Sequence, residues 1–520
     1  MMPGLQKQGA KKAGFFSRNF TRKIPLSLPT KSTLMLIAVS IACLFYADVE
    51  VAMTSPWAEL QRLMLGALTP SYPSMSELFQ AVVLTVQFAV VGVMVGVLFG
   101  FGFACIYQWA PIRWFCALIR AIHELFWALL LIAVIGVSPL AGLLAIAIPY
   151  SGIFAKVFYE MLLQANPAPD FVLKEKAGVI SRFVYGRLAQ MAPRMARYIR
   201  YRLECALRSS AVLGFVGLPT LGYHLESAVK EGHYSEAWLL MYVLLALIGS
   251  KKWWFNRRTW LGLTVLACAF FPFSESVSLQ NLGQFFTEEL VPSPLRGVDL
   301  GSDPSQSMFS LSTSLLLPWF QMLWVNEVLP GVINTLVLTM LALVATGVCV
   351  LVLLPPQSIW FAGKNLRFVG QGGALIVRSL PEIVLAFIVM LLVGPSMLPA
   401  IIALAVHNGG VISHLLQHQI DELRLREDHP RGLLLFCYEI MPRISTQFMS
   451  FWLYRWEVIM RETAILGLLG IPTLGFYIDS AFEDIRYDRA LLLILTAAAL
   501  NLFIEALSGR LQKKLYNKHR

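Results

Sequence analysis

The sequence predicts an all-α, polytopic transmembrane helical bundle of about twelve spans, built as two parallel repeats. Three observations predict it. Only 14% of the 520 residues are charged and 57% are hydrophobic, against about 25% charged in a soluble domain. Apolar runs approaching the roughly 20 residues that cross a bilayer as a helix recur along the whole chain. One block near residue 208 returns 253 positions later. Long alternating strands are absent, which argues against an outer-membrane barrel.

Apolar runs read against flanking charges give spans near 33–52, 78–107, 115–136, 139–162, 195–217 and 236–250 in the first half. The second half gives 259–273, 330–354, 370–393, 397–417, 444–470 and 489–508. Basic clusters at the N-terminus, 174–202, 251–258, 364–367 and 510–520 fall on one side, and acidic loops on the other. Both termini are therefore expected in the cytoplasm. The basic N-terminus followed by the apolar run 34–46 has the form of a signal peptide, but no good small-x-small site follows. An uncleaved first span is the better reading. The external segment 274–328, with Pro292, Pro294 and Pro304, reads as a lid or as an ordinary connector.

The net charge of +11 sits beside the ends of apolar runs, so a bilayer and not nucleic acid is its expected partner. The seven cysteines are scattered singly with no C-x-x-C spacing, which supports neither a zinc site nor a disulfide framework. No nucleophile–base–orienter set is visible, so an enzyme is not expected. No cofactor and no resident metal are expected either: His407, His414 and His418 share a helix face, but the first half has no counterpart to them.

The repeat carries the most information. Arg208-Ser-Ser-Ala-Val-Leu-Gly-Phe-Val-Gly-Leu-Pro-Thr-Leu-Gly-Tyr recurs as Arg461-Glu-Thr-Ala-Ile-Leu-Gly-Leu-Leu-Gly-Ile-Pro-Thr-Leu-Gly-Phe. Arg202-x-Glu204-x-x-x-Arg208 matches Arg455-x-Glu457-x-x-x-Arg461, and Arg120-x-x-x-Glu124 answers Arg378-x-x-x-Glu382. The expected division is a cytoplasmic basic arm over 1–32, a first unit over 33–251 and a second over 252–520. Gly92, Gly96 and Gly100 fall every fourth residue, the spacing that lets a neighbouring helix approach closely.

Charged groups inside spans are normally paired or face water. Glu204 and Arg208 are four apart and can pair, as can Glu457 and Arg461. Two readings stand for these groups. One is structural ion pairs. The other is a pathway lined by Arg208, Arg461, Glu204, Glu457, Glu124 and Glu382, in which guanidinium forks attract an oxyanion.

Each half also carries a charged cytoplasmic stretch ending in Pro-Arg, near 165–194 and 418–443. With the R-x-E-x-x-x-R-x-x-x-x-L-G-x-x-G blocks and Ala177-Gly178, these resemble the permease subunits of ABC importers, most closely the phosphonate type. Such permeases usually carry one copy per chain, so this chain resembles a fused tandem duplication. The resemblance implies inward movement of a small oxyanion, such as a phosphonate or related phosphorus compound. It also implies an extracytoplasmic solute-binding protein and ABC ATPase subunits, two copies of them, docked on coupling helices. The coupling residues would be Lys174, Glu175, Ala177 and Gly178 in the first loop, and Glu422, Arg424, Arg431 and Gly432 in the second. The chain has no G-x-x-x-x-G-K-[ST] phosphate loop, so a separate subunit would hydrolyse ATP. Fused permeases for iron(III) or thiamine, and an ion-coupled twelve-span secondary transporter, are the alternatives. The second loop lacks Ala-Gly, and Ser209 stands where the other copy has Glu462.

Overall fold

The computed structural model describes residues 28–51, 56–166, 178–256, 258–272, 278–296, 308–426, 428 and 430–517. Most of the expected basic arm, together with Lys174, Glu175 and Ala177, lies outside the described residues. The described residues are helical or irregular, with no strand.

The first half holds α1 (Leu28–Leu44), α2 (Pro56–Leu68), α3 (Met75–Cys105), α4 (Ala110–Ala121), α5 (Glu124–Ile135), α6 (Pro139–Leu163), α7 (Ala189–Val212), α8 (Leu221–Lys230) and α9 (Tyr234–Gly249). The second holds α10 (Trp260–Ala269), α11 (Met308–Leu323), α12 (Leu329–Leu353), α13 (Lys364–Ser379), α14 (Glu382–Val393), α15 (Met397–Asp421), α16 (Met441–Leu466), α17 (Leu474–Glu483) and α18 (Tyr487–Asn517).

Five helical stretches, four bent pairs and three shorter apolar helices follow the order of the twelve apolar runs. Two expected spans need correction. The runs 115–136 and 370–393 are not straight: α4 meets α5 at 92° and α13 meets α14 at 100°. At the second bend Pro381 has no N–H to continue the helix, and Leu380 is extended at ψ 139°. At the first, Ile122 and His123 are extended, and His123 Nδ1 accepts from Leu125 N at 3.1 Å to start a new helix.

In each half a central pair packs closely, α3 on α6 and α12 on α15. The glycine stripe serves that packing. Gly92, Gly96 and Gly100 face Ile146, Tyr150 and Phe154, and a Cβ at Gly100 would stand 2.6 Å from Phe154 Cβ.

The repeated block works as a helix stop followed by a helix start. α7 tightens into a 3₁₀ turn, Gly217 turns the chain at φ +89°, and Pro219-Thr220 leads into α8. Gly470 does the same at φ +80° before α17. A Cβ at Gly222 would lie 1.6 Å from Ala211 O, and one at Gly475 2.0 Å from Ala464 O, so the backbones touch directly. The opened N–H groups are satisfied from a neighbour: Leu221 N donates to Thr85 Oγ1 and Leu474 N to Thr335 Oγ1, both at 3.0 Å.

The halves clasp each other by their first helices. α1 packs on α12 and α16 of the second half, with Thr33 Oγ1 donating to Met449 Sδ at 3.4 Å. α10 packs on α3 of the first half, where the Phe271 and Phe88 rings stand 5.8 Å apart and Gln87 Nε2 donates to Phe270 O. α18 crosses to α4, and Asn501 Nδ2 donates to Ala121 O at 2.7 Å. The segment expected as an external lid or connector holds short helical turns and α11. Ser293 anchors it, donating through N and Oγ to Asp488 Oδ2 at 2.9 and 2.7 Å.

Candidate functional site

An open cavity of about 850 Å³, its mouth included, lies where the two halves meet. α7 and α16 supply matching faces. Arg202, Cys205, Ser209 and Val212 answer Arg455, Val458, Glu462 and Ile465, successive turns of one helix side. α6 adds Tyr150 and Ile153, and the two bends bring in Glu124 and Glu382 as the first residues of α5 and α14. A carboxylate there sits at the positive end of its helix dipole.

Four arginines and three glutamates line this space. Arg208 reaches from the first half into the second, with Nη1 3.4 Å from both Glu382 Oε1 and Arg378 O. Arg461 reaches the opposite way and donates to Arg120 O at 3.2 Å. The arginines thus tie each half to the bend of the other. Glu382 also lies 2.8 Å from His407 Nε2, and Arg208 Nη1 is 2.9 Å from that same nitrogen. One tautomer of His407 donates to Glu382, and the other accepts from Arg208.

Glu462 accepts from Asn408 Nδ2 at 3.0 Å, and Glu124 from Ser209 Oγ at 2.6 Å. Ligand atoms of Glu382, His407 and Glu462 lie within 4.8 Å of one another, a spacing a metal ion could use. The Arg208 guanidinium already stands against this group and supplies the positive charge a cation would bring. His414 and His418 pack ring to ring at 5.0 Å away from the cluster's carboxylates.

Of the six residues expected along a pathway, Arg208, Arg461, Glu124 and Glu382 line the cavity, and Glu204 and Glu457 do not. The expected Glu204–Arg208 pair is replaced: Glu204 Oε2 accepts from Lys251 Nζ at 2.5 Å, while Arg208 turns to Glu382. The Glu457–Arg461 pair forms at 3.8 Å, and Glu457 also lies 3.7 Å from Arg120. Arg120 in turn donates to both oxygens of Glu505, at 2.5 and 2.6 Å. Arg202 and Arg455 were legible as charges inside spans, but their place in the cavity was not. The lining residues Tyr201, Tyr454 and Tyr150 went unread. The 253-residue offset that pairs Tyr201 with Tyr454 was the available signal.

Ahead of α7 in the chain, Gly178 caps a short helix, Val179–Arg182, whose Ile180 is exposed, as is Tyr185 beyond it. Their counterparts Leu433 and Tyr438 are exposed too. In the second loop the helix begins only at Leu433, after the expected coupling residues. After Asp421 the described residues through Gly432, with Glu422, Arg424 and Arg431, are irregular. Pro430 interrupts the charged run and Gly432 turns at φ +63° just before the helix begins, while Leu423 and Leu425 pack against the core.

Neither a family model nor a solved structure matches the chain. Curated relatives do. The phosphate-import permease PhnE of Mycolicibacterium smegmatis is 22% identical over 417 residues, 76% of this chain and 76% of that protein. The chain is a transport permease. The permease is also 27% identical over 145 residues to the phosphite transport system permease PtxC of Stutzerimonas stutzeri. That match takes 26% of this chain and 52% of the relative. A half-length match of this kind fits a duplicated chain, whereas the mycobacterial relative runs through both halves. The permease is a multi-pass membrane protein and not an enzyme.

Proposed function

We propose that this permease is the membrane-spanning subunit of an ABC importer that carries a small phosphorus oxyanion inward between its two halves. The observation that carries the reading is the interface cavity with Arg208, Arg455 and Arg461 in its wall, in a chain whose relatives are named for phosphate and phosphite. Guanidinium forks match the tetrahedral geometry of phosphorus oxyanions, and a low-dielectric wall strengthens each contact. The relatives' substrates favour this class over iron(III) or thiamine.

The two units divide at the 251–258 linker and form a whole pore from one chain, and the mutual clasp of α1 and α10 supports this. An ATPase and a solute-binding protein complete the transporter. Two ATPase copies dock on the inner face, one at Lys174, Glu175, Ala177 and Gly178, the other at Glu422, Arg424, Arg431 and Gly432. The exposed Ile180, Tyr185, Leu433 and Tyr438 beside these loops support such docking, since exposed apolar clusters rimmed by charge suit a protein partner. Both termini then lie in the cytoplasm and the membrane is the bacterial inner one. Arg208, Arg461, Glu124 and Glu382 act in the pathway wall, and Glu204 and Glu457 brace the helices behind it.

The test is uptake of radiolabelled phosphate, phosphite and methylphosphonate into proteoliposomes holding the permease, its ATPase and its binding protein. ATP-dependent uptake of at least one is expected. Uptake of none, with ATP hydrolysis intact, would overturn the substrate class.

A further inference from the structure

We propose that the anion is held on one side of the cavity only, by Arg455, and that its copy Arg202 has been withdrawn from that role. The inference rests on the phosphorus-oxyanion reading and sharpens it to a residue.

The four cavity arginines differ in what occupies them. Arg208 is committed to Glu382 and His407. Arg461 is committed to Arg120 O and Glu457. Arg202 is enclosed by aromatic rings. Its Cζ lies 5.4 to 6.0 Å from the centroids of Tyr150, Tyr198 and Tyr201, and its Nε donates to Tyr198 Oη at 2.8 Å. Arg455, at the matching position of α16, makes no hydrogen bond or ion pair among the described residues while lining the cavity.

A guanidinium offers five donors, and in a partly buried site these call for an acceptor. The carboxylates sharing the cavity do not meet that need. Glu124 accepts from Ser209, Glu382 lies against Arg208 and His407, and Glu462 accepts from Asn408. The donors left open are therefore those of Arg455, on the second half. A tetrahedral oxyanion docked there meets the Arg455 fork.

The sequence difference between halves follows the same line. Tyr198 and Tyr201 stand within ring contact of Arg202. The residue 253 positions after Tyr198 is Phe451, which has no hydroxyl to accept from Arg455. Duplication in one chain allowed one arginine to become a packed structural cation and left the other to contact cargo.

The experiment uses the complete transporter in proteoliposomes, with Arg455→Gln, Arg455→Lys and Arg202→Gln. Co-purification with the ATPase and binding-protein-stimulated ATP hydrolysis are measured beside oxyanion uptake. Arg455→Gln is expected to lose uptake about tenfold or more, the scale of a lost charge-assisted hydrogen bond, while ATP hydrolysis continues. Arg455→Lys should recover part of the rate, because a point charge replaces a fork. Arg202→Gln should lower recovery of the complex without a comparable loss of uptake per assembled complex. Wild-type uptake in Arg455→Gln, or an equal per-complex loss in Arg202→Gln, would overturn the assignment. Failure of the unmutated transporter to move any oxyanion would instead overturn the reading beneath it.

Discussion

Arg208 shows how a residue read correctly as charged and buried can still be given the wrong partner. Spacing alone offered Glu204, four residues back on the same helix, whereas the fold supplies Glu382 from the other half. Helical spacing reports only neighbours on one helix, and choices across an interface depend on how helices meet. Removing Arg208 leaves Glu382 without its cross-half cation. Arg208→Ala should therefore cost up to about 3–5 kcal/mol, the range for breaking a buried ion pair. The loss should appear as a lower thermal midpoint of the purified permease in detergent. An unchanged midpoint would mean that the pair contributes no net stability. Glu462 and Ser209 were legible as a difference between the copies, and each now has a hydrogen-bond partner, Asn408 and Glu124.

At the scale of elements, the repeated block was plain in the sequence, and its glycines explain why it repeats. Gly222 and Gly475 are the points where α8 and α17 touch the preceding helix backbone. Gly222→Ala or Gly475→Ala should abolish recovery of folded permease, because the clash is with a carbonyl oxygen and no side chain can yield. Gly102→Ala, with nothing within 4 Å of the added carbon, should express normally. Fluorescence-detected size exclusion separates these outcomes. Thr85→Val removes the acceptor for Leu221 N and should destabilise by about 1 kcal/mol, the usual worth of a cap, again read from the thermal midpoint. The right-angle bends were not legible. Only the second has a proline, Pro381, and its counterpart Ile122-His123 carries no breaker. Apolar residues stand on either side of both bends, so hydropathy read each as one span.

For the whole molecule, about twelve segments and a two-fold repeat were legible because membrane helices declare themselves by length and apolarity. The exchange of first helices was not. α1 and α10 have uniform apolar surfaces, and a surface without pattern does not say which neighbour it meets. Because each half holds a helix of the other, halves expressed as two chains, 1–257 and 258–520, should co-purify as one assembly. Neither should be recovered well alone, and independent recovery of both would contradict the clasp. The central claim is that one chain supplies both walls of the pore. Native mass measurement of the purified transporter tests it most directly. One copy of this permease with two ATPase subunits is the predicted composition, and two copies of the permease in each assembly would contradict it.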